Sequence, residues 1–166
     1  MTNKESALMV AEKAHNNQPY DIYPYMYHIR QVVKIAEELG YDESIVVASA
    51  LHDTLEDTPL SYNDIKKAFG KEVAEIVYCV TDELGRDRNE KKEKTYPKIR
   101  ANWKATVVKI CDRIANVSQS KDYNKGLYEM YKKEHEIFCS RLMSKEHPHE
   151  EINKAWNRLE VLLNGK

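Results

Sequence analysis

The chain has 166 residues, with 26 basic and 27 acidic side chains and a formal net charge of −1. It is long enough to bury one substantial core, and it lacks the global basic field that draws nucleic acid or an anionic membrane. No apolar run approaches the length of a bilayer span, and the polar opening Met1-Thr-Asn-Lys-Glu-Ser6 is not a signal peptide. Cys79, Cys111 and Cys139 are odd in number, lack metal-ligand spacing and read as free thiols of a reducing compartment. The expectation is a cytoplasmic chain, monomeric or a small homo-oligomer, with neither nucleic acid nor membrane as partner.

Periodicity predicts helices throughout and no strand of useful length. A first helix runs from Asn3 to about His15 and stops at Asn16-Asn-Gln-Pro19. A loop with Pro19 and Pro24 leads into a helix whose apolar positions Ile29, Val32, Val33, Ile35, Ala36 and Leu39 share one face. His28 stands in its first turn and Gly40 ends it. Asp42 or Ser44 caps the next helix, which carries Ile45 to Asp57 and closes at Thr58-Pro59. Ser61-Tyr-Asn-Asp64 resembles a capping box before a short helix ending at Phe69-Gly70. Lys71 to Val80 follows, then a charged segment from Thr81 to Thr95. Pro97 is expected to start the long helix that carries Asp112, and Leu127, Met130, Tyr131, Phe138 and Leu142 mark one more. His147-Pro-His149 joins it to a final helix at about 150–164. The reading is an all-α, single-domain bundle of about eight helices over residues 1–166, with its core at about 7–145.

Two of these helices carry ionisable side chains where the pattern asks for burial. In Ile45-Val-Val-Ala-Ser-Ala-Leu-His-Asp-Thr-Leu-Glu-Asp57, the residues His52, Asp53, Glu56 and Asp57 fall within six positions. An ionised carboxylate away from water has to be paired, neutralised or bound to a metal. On a continuous helix His52 and Glu56 stand one turn apart, as do Asp53 and Asp57. Thr106-Val-Val-Lys-Ile-Cys-Asp112-Arg-Ile-Ala-Asn116 repeats the anomaly, with Asn116 one turn after Asp112. Imidazole plus carboxylate suits a divalent first-row metal. Taken singly, His28 reads as a packed or capping histidine, Asp112 as a surface carboxylate, and His52 to Asp57 as an exposed helix end.

Together these residues give the order H…HD…D, which resembles the signature of the HD superfamily of metal-dependent phosphohydrolases. His52-Asp-Thr-Leu-Glu-Asp-Thr58 is similar to the HDxxEDT run of the branch that hydrolyses guanosine tetraphosphate (ppGpp). Ala68-Phe-Gly70 with Val73, and Val80-Thr81, also resemble that branch, and Lys109-Ile-Cys-Asp-Arg-Ile-Ala-Asn116 is similar to its KLADRxxN helix. The likeness covers roughly Ala7 to Ser118 and extends weakly to about Tyr131. It implies an HD-type helical bundle and a small stand-alone hydrolase without a synthetase or regulatory region. It further implies a Mn²⁺ ion held by His28, His52, Asp53 and Asp112, with Glu56 orienting or deprotonating the attacking water and Asp57 sharing that role or holding a ligand or substrate in place. Nitrogen-plus-oxygen ligation also suits Fe²⁺ or Zn²⁺. The implied substrate is a guanosine 3′-diphosphate alarmone, cleaved to GDP or GTP and pyrophosphate. A phosphatase for NADPH 2′-phosphate or a nucleoside 5′-monophosphate, and a non-catalytic nucleotide-binding regulator, stay open as alternatives.

A diphosphate needs cations, and Gly85-Arg-Asp-Arg-Asn-Glu-Lys-Lys-Glu-Lys94 supplies them. Arg86 and Arg88 can fork onto phosphate oxygens, and Lys92, Lys98 or Lys109 can add point charge, unless Asp87, Glu90 and Glu93 pair them on a solvated helix. Asn116 is expected to bond the substrate sugar or phosphate, or else to cap a helix; Tyr131 is a further candidate contact. One stretch departs from the resemblance. Where ppGpp-cleaving members have HRGQRRK…PYxxHP, this chain has His15-Asn-Asn-Gln-Pro-Tyr-Asp21 and then Ile22-Tyr-Pro-Tyr-Met-Tyr-His28. The purine-holding cations are gone, and Tyr20 or Tyr23 can stack on a base or serve as packing.

Overall fold

The computed structural model describes residues 1–165. Its elements in chain order are α1 (Asn3–His15), β1 (Pro19–Tyr20), β2 (Tyr23–Pro24), α2 (Tyr25–Glu38), α3 (Glu43–Leu51) and α4 (Thr54–Asp57). There follow α5 (Tyr62–Phe69), α6 (Lys71–Val80), α7 (Arg88–Ala101), α8 (Trp103–Tyr123), α9 (Lys125–Leu142) and α10 (His149–Asn164). The all-α reading holds, and the one departure in class is small: β1 and β2 pair antiparallel over two residues each, around Asp21 in a left-handed conformation (φ 57°).

Two helices form the centre. Every residue of α3 from Ile45 to Leu51 is buried, and α8 buries residues on all sides from Ala105 to Val117. A helix apolar all round belongs inside a protein. α1, α2 and α6 pack on α3, while α2, α6, α7, α9 and α10 pack on α8. Phe138 of α9 meets Trp156 of α10 and Tyr96 of α7 edge to face, at 5.8 and 6.3 Å between centroids.

Three local expectations need correction. The helix from Ile45 does not continue to Asp57; it ends at Leu51, and Asp53 sits at φ −103°, ψ 3°, between α3 and α4. Side chains cause the break. Thr54 Oγ1 donates to the Leu51 carbonyl at 2.7 Å and His52 Nδ1 to that of Ser49 at 2.8 Å, satisfying carbonyls at the end of α3. Pro97 does not start the Asp112 helix but lies inside α7. The start of α8 is set by Asn102, whose side chain accepts from the Ala105 amide at 3.1 Å. The charged segment also turns helical earlier than its composition implies, because Asp87 caps α7 through the Glu90 amide at 2.9 Å. Asp42 caps α3, and Ser61 with Asp64 forms the capping box of α5.

Candidate metal centre and substrate cleft

The break after α3 turns His52 and Asp53 towards α8, and α2 delivers His28 to the same point. His28 Nε2 lies 2.9 Å from Asp112 Oδ1, and His52 Nε2 lies 3.0 Å from Asp53 Oδ2 and 3.3 Å from Asp112 Oδ1. Both histidines are buried. A carbonyl only accepts, so His52 Nδ1 carries the ring proton bonded to Ser49, and Nε2 presents a lone pair. That Nε2 is buried without a hydrogen-bond partner and faces two carboxylate oxygens. The contact is repulsive unless a cation stands there, either a proton or a metal ion. Burial opposes the charged imidazole, yet Asp53 and Asp112 hold its pKa well above the usual histidine range. Burial likewise opposes charge on both carboxylates, but the histidines, with Lys109 for Asp112, keep them ionised. His28, His52 and Asp53 offer donor atoms within 4.8 Å of one another, and Asp112 adjoins both histidines; this nitrogen and oxygen set fits a divalent metal ion.

The surrounding residues brace this set. Tyr25 donates its hydroxyl to Asp53 Oδ2. Tyr20 stacks on His28, and Asn116 donates to Asp112 Oδ1 at 3.2 Å. Asn116 thus neither caps a helix nor stands free; it lines the cleft in the middle of α8.

Glu56 and Asp57 sit on the short α4, with ligand-type oxygens of Asp53, Glu56 and Asp57 within 4.8 Å of one another. Their carboxyl pKa values are raised, first by desolvation and then by neighbouring carboxylates, Asp53 among them. Glu56 Oε1 accepts the Asp82 amide at 2.7 Å. A pocket of ≈ 20 Å³, the room of about one water, is lined by Glu56, His52, Asp53, Asp112, Asp82, Lys92 and Lys109. It adjoins a cleft of ≈ 170 Å³ that reaches Tyr20, Arg88, Arg113, Asn116 and Tyr131.

The cleft therefore has an acidic end at α4 and a basic end made by α7 and α8. Arg88 and Arg113 both bond Glu134, Arg88 at 3.1 and 3.2 Å and Arg113 at 2.9 Å. Arg113 is buried against the rings of Tyr131 and Phe138. Burial and the nearby Lys109 push the Lys92 ammonium down to about 8, against the pull of Asp82.

Of the residues singled out from the sequence, His28, Asp53, Glu56, Asp57, Asp112, Asn116, Arg88, Lys92, Tyr20 and Tyr131 line the larger cleft, with His52 in the pocket beside it. Arg86 does not. Its side chain is 91 % exposed and pairs with Glu90 at 2.7 Å, since it precedes the first turn of α7 and points outward. Lys98 is also turned away, bonded to the Thr81 carbonyl and to Glu83. Tyr23 stacks on Tyr27 and does not line the cleft. Sequence reasoning passed over Tyr25, Asp82 and Arg113. Arg113 stood next to Asp112 in a buried helix, and that position was its signal.

The HD domain family matches residues 7–138. The guanosine-3′,5′-bis(diphosphate) 3′-pyrophosphohydrolase of Aquifex aeolicus is 34% identical over 111 residues, covering 64% of this chain and 15% of that protein. The bifunctional (p)ppGpp synthase/hydrolase SpoT of Escherichia coli is 34% identical over 119 residues, covering 67% of this chain and 17% of that protein. The guanosine-3′,5′-bis(diphosphate) 3′-pyrophosphohydrolase MESH1 of Drosophila melanogaster is 32% identical over 97 residues, covering 57% of this chain and 54% of that protein. The chain thus spans less than a fifth of the two bacterial relatives and about half of the fly protein. A solved structure, described as a metazoan ortholog of SpoT that hydrolyzes ppGpp and plays a role in starvation responses, shares the fold. Its TM-score is 0.76 at 22% identity, over 96% of this chain and 95% of that one.

Proposed function

The chain belongs to the HD domain family, and we propose that it is a metal-dependent phosphohydrolase of guanosine 3′-diphosphate alarmones, yielding GDP or GTP and pyrophosphate. Mn²⁺ is the ion proposed, and the cytosol the compartment, for one HD-type domain acting as a monomer or small homo-oligomer. One observation carries the reading: a cleft and its adjoining pocket bring the donors His28, His52, Asp53 and Asp112 together with the cations Arg88, Lys92, Lys109 and Arg113. Relatives named as guanosine-3′,5′-bis(diphosphate) 3′-pyrophosphohydrolases support the choice of substrate.

In this mechanism His28, His52, Asp53 and Asp112 would hold the ion. A bound divalent ion lowers the pKa of water and neutralises phosphoryl charge. Glu56, with Oε1 fixed by the Asp82 amide, accepts a proton from the attacking water through its other oxygen. The water oxygen forms a bond to the phosphorus attached at the 3′ position as the bond from that phosphorus to the 3′ oxygen breaks; the 3′ oxygen takes up a proton from solvent, and Glu56 returns its own to solvent. Asp57 keeps the water oriented. Arg88, Lys92, Lys109 and Arg113 hold the diphosphate, while Asn116, Tyr20 and Tyr131 border the sugar and base.

The test is a panel of guanosine tetraphosphate, adenosine tetraphosphate, NADPH and nucleoside 5′-monophosphates on the Mn²⁺-loaded protein, with pyrophosphate and orthophosphate read separately. Pyrophosphate from guanosine tetraphosphate is the expected result. Orthophosphate from NADPH or a monophosphate would favour the second reading, a phosphatase for another nucleotide. That reading draws on the hairpin, which brings Tyr20 and no cation to the cleft. Tight nucleotide binding without turnover would make the chain a regulator.

A further inference from the structure

Residues 81–87 join α6 to α7 without regular structure, yet they are fastened at nearly every position. Lys98 Nζ donates to the Tyr78 and Thr81 carbonyls at 3.2 and 2.9 Å. The Glu83 amide donates to Thr95 Oγ1 at 2.9 Å, and Lys94 Nζ to the Leu84 carbonyl at 3.1 Å. At Gly85 the backbone approaches α7 so closely that a Cβ would stand 2.9 Å from the Lys91 nitrogen. All of these anchors hold the segment to α6 and α7. Asp82 alone reaches across to α4, where its amide binds Glu56 Oε1 at 2.7 Å. Its carboxylate faces the other way and accepts Lys92 Nζ at 3.1 and 2.9 Å.

Lys92 needs such a partner. It lies in the cleft with Lys109, Arg88 and Arg113, and like charges crowded together repel. A lysine stem is flexible, and without a carboxylate beside it the ammonium would swing away from its neighbours towards solvent. Glu56, Asp82 and Lys92 all line the one-water pocket. Asp82 is thus the only residue, among those described, that bonds both the carboxylate and the lysine there.

We propose that Asp82 is a positioning residue that fixes Lys92 for a phosphate group while its amide fixes Glu56 for the water, so that base and cation keep one spacing. The inference rests on the function proposed above. It deepens that reading by assigning the phosphate end of the cleft to Lys92 acting through Asp82. The side chain and the amide separate cleanly, because a substitution at position 82 removes the tether to Lys92 and leaves the amide to Glu56. Side-chain variants should therefore act on KM and spare kcat, which a loss of general structure would not do.

The experiment is a double-mutant cycle on the full chain with Mn²⁺, using Asp82→Ala, Lys92→Ala and the double variant, with Asp82→Asn as the isosteric control. Two quantities are read: KM and kcat with guanosine tetraphosphate, and the affinity for inorganic pyrophosphate by calorimetry. Asp82→Ala should weaken pyrophosphate and raise KM by about 10-fold, the scale of one charge-assisted bond, with kcat within about 3-fold of wild type. In the Lys92→Ala background it should change neither. Equal losses from Asp82→Ala with and without Lys92 would overturn the proposal, as would unchanged affinity in Asp82→Ala or no pyrophosphate binding by the wild-type protein. If Asp82→Ala fails to fold, Asp82→Asn carries the same comparison. If guanosine tetraphosphate is not cleaved, the proposed function falls, while the pyrophosphate cycle still judges Asp82.

Discussion

Tyr20 lies flat on His28, with ring centres 4.7 Å and planes 25° apart, and its hydroxyl reaches Asn116 at 2.7 Å. Asn116 in turn bonds Asp112. One hairpin tyrosine thus touches a candidate metal ligand directly and another through an amide. Tyr20→Ala should loosen His28 and weaken Mn²⁺ binding by about 10-fold or more, the range for residues that orient metal ligands. Tyr20→Phe keeps the stack and should lose much less. Metal titration of the two variants checks this; equal affinity in both would show that the stack supports nothing.

Replacing His28, His52, Asp53 or Asp112 by Ala should abolish turnover and bound metal together. Metal should also stabilise the wild-type fold, by about 2.7 kcal/mol at a concentration 100 times the dissociation constant. For a chain of this size that is roughly 5–10 °C in melting temperature. Thermal scans with and without Mn²⁺ read it, and the shift should vanish in His52→Ala.

Glu56→Gln should preserve metal binding and fold and lower kcat by roughly 100-fold or more, the usual contribution of a positioned base. Burial and the neighbouring carboxylates raise the Glu56 carboxyl, so the base form appears only above the ordinary glutamate range. The acidic limb of the kcat profile should therefore lie above that range and disappear in Glu56→Gln. Near-wild-type turnover in the variant would remove Glu56 from the chemistry.

Lys92 predicts the opposite limb. Its ammonium is pushed down to about 8 by burial first and then by Lys109, so the cation is present below that pH and lost as pH rises through it. Diphosphate binding should weaken above about pH 8, seen as a fall in kcat/KM for the free enzyme. Lys92→Arg should carry its charge to higher pH and flatten the limb.

Arg88 and Arg113 should matter for phosphate, and Arg86 should not. Loss of a charge-assisted bond is worth about 1.5–3 kcal/mol, or roughly 10- to 150-fold in affinity. Arg88→Ala and Arg113→Ala should raise KM within that range, whereas Arg86→Ala, on the surface beside Glu90, should stay within about 2-fold of wild type. Adenosine and guanosine tetraphosphates compared on Tyr20→Ala would show whether the hairpin also selects the base.

The helices were legible because their causes are local. Gly40 and Gly70 at positive φ, the Ser61–Asp64 box and the apolar faces of α2 and α6 are written in short windows. His52, Asp53 and Asp112 stood out as charge in apolar runs, whereas His28 was legible only through the order H…HD…D and the family signature it resembles. Three things were hidden. The end of α3 at Leu51 depends on Thr54 and His52 bonding backward to carbonyls, a choice that helix periodicity does not record. Arg86 and Arg88 are chemically alike and two positions apart, and only the start of α7 decides which one faces the cleft. Asp82 gains its place from contacts to residues 26 positions upstream and 10 downstream, so no window contains its partners.

The burial of α3 and α8 on every side gives the molecule a graded resistance to local opening. Amide hydrogens in Val46–Leu51 and Val107–Val117 should exchange with solvent only when the whole chain unfolds. Those of the Pro19–Pro24 hairpin, paired over two residues in each strand, should exchange through small excursions. The wall bearing Tyr20 can thus breathe while Asp112, within α8, and His52, directly after α3, stay in register beside the slowest-exchanging parts of the chain.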